Sequence, residues 1–309
     1  MKDVAFKLRA KLIESVQKNK ACGLLFSGGL DSAILATLNP KVKAITVSLR
    51  SKGKDVKFAT SLVRLLKIEH FQNKVSVDEA QEAIPEVIKI LRTFDPAIPN
   101  DLVVYFGLKK VFELGINEVM TGDGSDELFA GYNFMQESND LEKYIKKITQ
   151  KMEFSSNKIG KYFKIGIMQP FLDKEFVDFS LGINPELKIK KENGRIWGKW
   201  ILRKAFEDVL PKEFVWQSKR PLECGSGMNR LRDIITSRIS DKEFKQKSRL
   251  YPVKFINKEH FYYYKIFKDV VGEVPKPSKG EKQCPGCGAG MAPFAFHCKV
   301  CGYILDGVV

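Results

Sequence analysis

Long apolar runs are missing from this chain. No window approaches the roughly 18–20 consecutive apolar residues that a membrane helix needs, and the opening MKDVAFKLRAKLIESVQKNK is a charged amphipathic pattern without a secretory apolar core. The reading is a cytoplasmic protein with no membrane partner. Internal repeats and low-complexity segments are also lacking. Before residue 284 the only cysteines are Cys22 and Cys224, so no disulfide framework holds the chain together. Histidine is scarce, and His70 and His260 have no partner visible in the sequence and receive no role. Two common phosphate motifs are absent as well: no glycine loop ends in Gly-Lys-Ser/Thr, and no G-x-G-x-x-G follows a strand.

What is present reads as a globular protein with room for about two domains. The first half alternates strand-like and helix-like stretches. A helix over 3–19 precedes the apolar run ACGLLFS (21–27), and a glycine turn leads to a helix over 31–38 and the strand KAITVSL (43–49). A helix from Asp55 to about 67, the extended piece HFQNKVSV, helices near 78–92 and 101–114, and the strand NEVMTG (117–122) follow. That alternation predicts an α/β fold, a doubly wound parallel sheet covered on both faces. Residues 140–271 change to Lys-rich amphipathic segments with no convincing strand, which predicts a helical lobe. Residues 272–282, GEVPKPSKGEK, read as a linker, and 283–309 as a compact cysteine module.

Charge follows the same division. Residues 1–139 hold 19 basic and 17 acidic groups, whereas 140–271 hold 29 and 17. A one-sided field of that kind suits a nucleotide, a polyphosphate or RNA; a Lys-rich solvated surface is the plain alternative.

Two loops carry the chemistry. In LLFSGGLDSAIL, residues Ser27, Gly28, Gly29, Asp31 and Ser32 follow a buried strand and open a helix. Paired glycines let backbone N–H groups converge on an anion, and the helix N-terminus adds unpaired donors. A phosphate chain fits there. Asp31 would repel it unless a cation intervened, so the loop implies Mg²⁺; a plain N-cap after a βα turn is the structural alternative. The second loop, TGDGSDELFAGY (121–132), repeats the grammar with Gly122, Asp123, Ser125, Asp126 and Glu127. Three carboxylates in five residues repel one another without a cation, although a helix dipole alone favours acids in a first turn. Ligands of open α/β sheets sit at this edge, so both loops line one cleft.

The last motif is Cys284-x2-Cys287-x10-Cys298-x2-Cys301. Two knuckles of this spacing supply four thiolates for tetrahedral Zn²⁺ in a closed, structural site. His297 reads as a bystander. So small a module folds only with its metal, and RNA contact, docking of a carrier protein and added stability all remain open roles. The aromatic run FYYYKIF (261–267) reads as packing within the lobe rather than a base-stacking platform.

With both loops quoted, the sequence resembles the synthetase domain of the asparagine synthetase family, within the ATP pyrophosphatase or PP-loop superfamily. The resemblance runs through SGGLDS (27–32), TGDGSDELFAGY (121–132), PFLD (170–173), KWILRKAFEDVLP (199–211), Trp216, Lys219 and GSG (225–227), in family order over about residues 20–230. It implies an adenine nucleotide alpha hydrolase-like sheet and an enzyme that cleaves ATP to AMP and pyrophosphate. A substrate carboxylate would be adenylated and passed to ammonia or another amine. By motif match, Ser27, Gly28, Gly29, Asp31 and Ser32 hold the pyrophosphate portion, with Gly122 in the facing loop and Mg²⁺ on Asp31 and Asp126. Val47, Ser48 and Leu49 lie at the adenine-contacting position. Lys219 corresponds to the catalytic lysine near the α-phosphate, and Lys199 and Arg203 to a basic pair closing the phosphate end.

Two departures accompany the match. Asp123 stands where the family usually has Glu, a residue that handles protons on the incoming amine, and a side chain one methylene shorter pulls back by about 1.5 Å. Met1 is followed by Lys2 rather than by a catalytic cysteine and a glutaminase domain, which implies free ammonia, another amine or a separate donor protein. Three functions follow: a carboxylate-adenylating carbon–nitrogen ligase, a PP-loop enzyme acting on a tRNA base, and a nucleotide- or RNA-binding regulator without turnover.

Overall fold

A computed structural model describes residues 1–305 except 51–54, 138, 139, 151 and 193. The first half is built as a βα alternation. Helix α1 (Lys2–Lys18) precedes β1 (Gly23–Leu25), α2 (Leu30–Leu38) and β2 (Lys43–Leu49). Next come α3 (Asp55–Leu66), β3 (His70–Val75), α4 (Val77–Leu91), α5 (Ile98–Glu113) and β4 (Glu118–Met120), then the short α6 (Ser125–Leu128). Local signals explain the boundaries. Ser76 caps α4, accepting from the Glu79 backbone N–H while the Glu79 side chain accepts from the Ser76 N–H. The seven-residue run of β2 is apolar enough to be buried on both faces, as a central parallel strand requires.

The sheet order is β3-β2-β1-β4-β5, all parallel, where β5 is Gly166–Met168. The chain winds outward from β1 to β3 and then returns to the other side of β1 with β4. The switch point therefore lies between β1 and β4, and a crevice opens above their C-terminal ends. Alternation along the strands sorts side chains onto two faces. Ala44, Leu24, Phe26 and Met120 join the core under α1 and α2, whereas Ile45, Val47, Leu49 and Val119 join the core under α4 and α5.

Past residue 140 the lobe is mainly helical, with α7 (Leu141–Thr149), α8 (Ser155–Phe163), α9 (Lys174–Leu181), α10 (Trp200–Phe206) and further helices to Val270. The expectation of a strand-free lobe is corrected here. β5 adds an edge strand to the main sheet, and β6 (Ile189–Glu192) pairs with β7 (Arg195–Gly198) in an antiparallel hairpin. Three residues are too few to show a period, and the IKKE and RIWG arms carry too many charges to alternate cleanly. The FYYYKIF run packs as read: Phe261, Tyr263, Tyr264 and Phe267 are buried on the helix Lys258–Val270.

The cysteine module is packed against the body. Its four cysteines belong to the same apolar cluster as α4 and α5. The Val300 carbonyl accepts from the Phe94 N–H and from Thr93 Oγ1, and Lys254 N–H donates to the Gly286 carbonyl. Residues 306–309, part of the expected module, lie outside the described residues. Among those described, no helix is long and apolar enough to cross a membrane.

Candidate active site

Both acidic loops lie at the switch point, one after β1 and one after β4. In the first, Gly28 takes a left-handed φ of +77°, and a Cβ there would sit 2.8 Å from the Ala59 backbone nitrogen, so only glycine fits. The loop carries its own scaffold. Ser27 Oγ accepts from the Gly29 N–H at 3.2 Å, Ser32 Oγ donates to the Gly29 carbonyl at 3.1 Å, and Gln217 Nε2 donates to the Gly28 carbonyl at 3.0 Å. Gly29 is the extended N-cap of α2, which leaves the first N–H groups of that helix facing the crevice.

The second loop crosses to the first through a lysine. Lys199 Nζ donates to Asp31 Oδ1 at 2.8 Å and Oδ2 at 2.7 Å, and lies 2.7 Å from Asp126 Oδ1. Lys219 Nζ pairs with the same Asp126 oxygen. Ser125 Oγ donates to Asp31 Oδ1 at 2.7 Å. Two carboxylates and two ammonium groups thus form a compact, nearly neutral cluster. Lys199 is only 4% exposed and occupies the left-handed N-cap of α10 (φ 55°), its N–H donating to the Phe129 carbonyl. Gly131 makes room for it, because a Cβ there would collide with the Lys199 stem and the Asp126 carboxylate. A non-glycine residue held at positive φ costs roughly 1 kcal/mol or more and persists where its surroundings over-determine it.

Electrostatics follow from that packing. Burial alone would raise the Asp126 carboxyl, but Lys199 and Lys219 pull it down to about 2. Burial would lower Lys199, yet Asp126 and Asp31 hold it above its ordinary value. Lys219 moves the other way. Burial lowers it despite Asp126, with Lys199 repelling it, and its Nζ rests 4.0 Å over the Tyr132 ring, whose hydroxyl donates to Glu127 Oε1 at 2.7 Å.

A cleft of about 570 Å³ spreads from this cluster. One end is apolar, formed by Leu25, Ile45, Val47 and, from α5, Val103 and Gly107. Gly107 lets α5 approach the sheet, since a Cβ would come within 2.9 Å of Leu25 Cδ2. Of the three residues anticipated at the adenine position, Val47 lines the cleft, while Ser48 and Leu49 are buried and do not. Arg203 lines the same cleft. It donates to the backbone carbonyls of Gly198 (3.0 Å), Val215 and Gln217 (3.2 Å), so it also fixes the segment carrying Gln217 and Lys219.

Asp123 sits at the polar end. Its Oδ2 accepts from Thr121 Oγ1 and Ser156 Oγ, both at 2.6 Å, and from Gln169 Nε2 at 3.0 Å. Asp101 in the first turn of α5 lines the same cleft, together with Asn100, Ser155 and Ser156. Burial pushes the Asp101 carboxyl up to about 7 against the hydrogen bond from Ser155. Asp101, Gly107, Ser156 and Gln217 were not singled out in the sequence. A glycine inside a helical pattern was the one available signal.

The four cysteine sulfurs lie within 4.8 Å of one another, with Cys284–Cys301 at 3.6 Å and Cys287–Cys298 at 3.8 Å. Thiolates about 2.3 Å from a tetrahedral ion stand roughly 3.8 Å apart, so the donor set fits a metal. The Gly286 N–H donates to Cys284 Sγ at 3.3 Å, as a knuckle turn should. His297 pairs with Asp95 at 3.0 Å and holds the module to the body. His70 gains a role, bonding Thr46 Oγ1 at 2.9 Å, and His260 stacks on Phe94.

Comparison with known proteins adds the following. The family model described as asparagine synthase matches residues 7–164 and 155–282. Asparagine synthetase [glutamine-hydrolyzing] 2 of Lotus japonicus is 29% identical over 284 residues, covering 82% of this chain and 48% of that protein. The chain spans about half the length of the curated relatives it matches. Two solved structures share 13% identity and a TM-score of 0.34. NH3-dependent NAD synthetase from Campylobacter jejuni covers 90% of this chain and is itself 98% covered; the U34-tRNA thiolase NcsA from Methanococcus maripaludis with its [4Fe-4S] cluster gives 89% and 82%.

Proposed function

The chain belongs to the asparagine synthase family, and from that premise we propose that it adenylates a substrate carboxylate with ATP and transfers the acyl group to an amine. The observation that supports this most directly is the Asp31–Lys199–Asp126–Lys219 cluster, set beside a glycine loop and a helix N-terminus at the switch point.

The residues divide the work by charge. The Ser27–Ser32 loop and the α2 N-terminus bind the β- and γ-phosphates of ATP, and the apolar end at Val47, Val103 and Gly107 receives the base. Lys219, partly desolvated against Tyr132, faces the α-phosphate and offsets charge that develops there as the carboxylate attacks phosphorus. Asp31 and Asp126 are the ligands that would hold Mg²⁺, whose chemistry is to neutralise the triphosphate as pyrophosphate departs. Their oxygens suit a hard cation, and Lys199 already brings them to one positive centre. Asp123, fixed through Oδ2 by three donors, keeps Oδ1 for the amine or the acyl intermediate. A structural Zn²⁺ on Cys284, Cys287, Cys298 and Cys301 completes the cofactor set.

Exchange of labelled pyrophosphate into ATP tests the reading. Full-length protein is screened with Mg²⁺, ATP and a panel of carboxylic acids, and in parallel with bulk tRNA. Exchange that depends on one class of acid supports carboxylate adenylation. The basic lobe keeps the tRNA reading in view, and exchange or AMP release only with tRNA would replace the first reading with it. Binding of tRNA that weakens steeply with salt, without turnover, would leave only a nucleic-acid-binding protein.

A further inference from the structure

Beside the Lys199–Asp126 cluster lies a small apolar core separate from those of the main sheet. Its buried members are Ala130, Met135, Tyr144 and Ile145, and among the described residues Phe296 is the one residue of the cysteine module packed against them. Ala130 and Tyr132 flank Gly131, whose missing side chain admits the Lys199 stem and the Asp126 carboxylate. This core therefore backs the site directly.

A chain of ring contacts runs through it from the module to Lys219. Phe296 lies 5.5 Å from the Tyr144 ring of α7, Tyr144 meets Phe134 edge-on at 5.9 Å, and Phe134 stacks on Tyr132 at 5.5 Å with the planes 8° apart. Lys219 Nζ in turn rests 4.0 Å from the Tyr132 centroid. Two of these rings depend on their neighbours. Phe134 is 37% exposed, so its own segment does not enclose it. Tyr144 is 8% exposed, yet its hydroxyl finds no hydrogen-bond partner among the described residues. A buried hydroxyl left unsatisfied gains by turning to water, and ring packing is what opposes that turn. Phe296 is itself fixed: its carbonyl accepts from the Leu305 N–H at 2.8 Å within the module, and the adjacent His297 pairs with Asp95 at 3.0 Å.

Resting on the adenylation reading, we propose that Phe296 is a positioning residue for Lys219: through Tyr144 and Phe134 it holds the Tyr132 ring on which the ammonium rests. The hydroxyl bond to Glu127 Oε1 fixes one end of Tyr132, and the Phe134 stack fixes the tilt of its ring. A tilted ring withdraws the cation–π contact. Lys219 then keeps its pairing with Asp126 but loses the second contact that sets its reach toward the α-phosphate. The cysteine module thereby serves the site without touching substrate.

The test uses the full chain loaded with Zn²⁺, its lysines dimethylated with isotopically labelled formaldehyde and observed by NMR. A methylated ammonium held over a ring face resonates upfield of those on the surface, and Lys219→Arg identifies the Lys219 signal by its loss. Phe296→Ala should return that signal toward the surface position. Phe296→Leu, which keeps apolar cover over Tyr144, should retain most of the displacement. Tyr144→Ala breaks the chain one link later with the module unaltered, and serves if Phe296→Ala does not fold. In pyrophosphate exchange with an acid found by the screen, Phe296→Ala should lower kcat roughly 10- to 100-fold, the effect of a misplaced catalytic group. The KM for ATP should stay within about twofold, because the phosphate loop and the apolar pocket keep their contacts. A Lys219 signal that is not displaced in the wild type, or that neither variant moves, would overturn the assignment. Loss of kcat matched by a rise in KM would mark Phe296 as a structural residue and overturn it too. Exchange with no acid at all would remove the adenylation reading, while the Lys219 signal would still report whether Phe296 sets the position of that side chain.

Discussion

Replacing Lys199 with methionine keeps the stem and removes the charge, so it isolates what the ammonium contributes. In the folded chain this ammonium serves both Asp31 oxygens and Asp126 Oδ1. Asp126 is held at about 2 instead of 3.8, which corresponds to about 2 kcal/mol of stability at neutral pH. Breaking a buried pair by removing one partner costs up to about 3–5 kcal/mol, but the Asp126 side chain is 22% exposed to the cleft and Lys219 remains as a partner. The lower figure therefore applies, and Lys199→Met should lose about 2–3 kcal/mol at pH 7. The sign of the pH dependence follows. A depressed carboxyl contributes its full stabilisation above its unfolded value and loses it as pH falls through the folded one, so the wild type surrenders this contribution between 3.8 and about 2. In the variant the carboxyl returns upward, and the acid limb should move to higher pH. Urea melts from neutral to acid pH measure both effects, read by the fluorescence of Trp197 and Trp216, which stack edge-on at 5.3 Å. Equal stability at pH 7 with an unshifted acid limb would refute the view that this lysine holds the two loops together.

Two further outcomes follow from the same geometry. Gly28→Ala forces a Cβ to within 2.8 Å of the Ala59 nitrogen at φ +77°; it should cost about 1–2 kcal/mol and abolish the thermal stabilisation that Mg·ATP gives the wild type. An unchanged ATP-induced rise in melting temperature would count against the phosphate loop. Cys298→Ser, or chelation followed by thiol titration, should release the module from Thr93, Phe94 and Asp95. Amide exchange over residues 93–97 should then accelerate by about tenfold or more, as local unfolding becomes easier. Undiminished protection after metal loss would show that packing alone holds the module.

How much of this was legible beforehand depends on whether the signal is local. β2 runs over the residues anticipated for it, because seven successive strand-forming residues between a lysine turn and a polar stretch leave little choice. α4 begins where its capping box sits. β5 and the β6–β7 hairpin were invisible for the opposite reason: their partners, β4 and each other, supply the order that three or four mixed residues cannot encode alone. The linker is the same case. Pro and Gly mark 272–282 as a tether, but the contacts that make the cysteine module part of the body come from Thr93, Phe94 and Lys254, far away in sequence.

The site divides along the same line. Glycine loops and carboxylates announce themselves because their chemistry is written in consecutive residues, so Asp31 and Asp126 could be placed on one crevice by the switch-point rule alone. What joins them could not. Lys199 stands out in the sequence only through the family motif, and it is the left-handed turn at the start of α10 and the missing side chain at Gly131 that direct its stem between the two acids. Arg203, one turn further on, lines the same cleft, and its bonds to the carbonyls of Gly198, Val215 and Gln217 come from segments that only the tertiary fold brings beside it. Asp101 is the limiting case: in sequence it is an ordinary acid in a first helical turn, and only the arrival of Ser155 and Ser156 from α8 makes it the wall of a cleft.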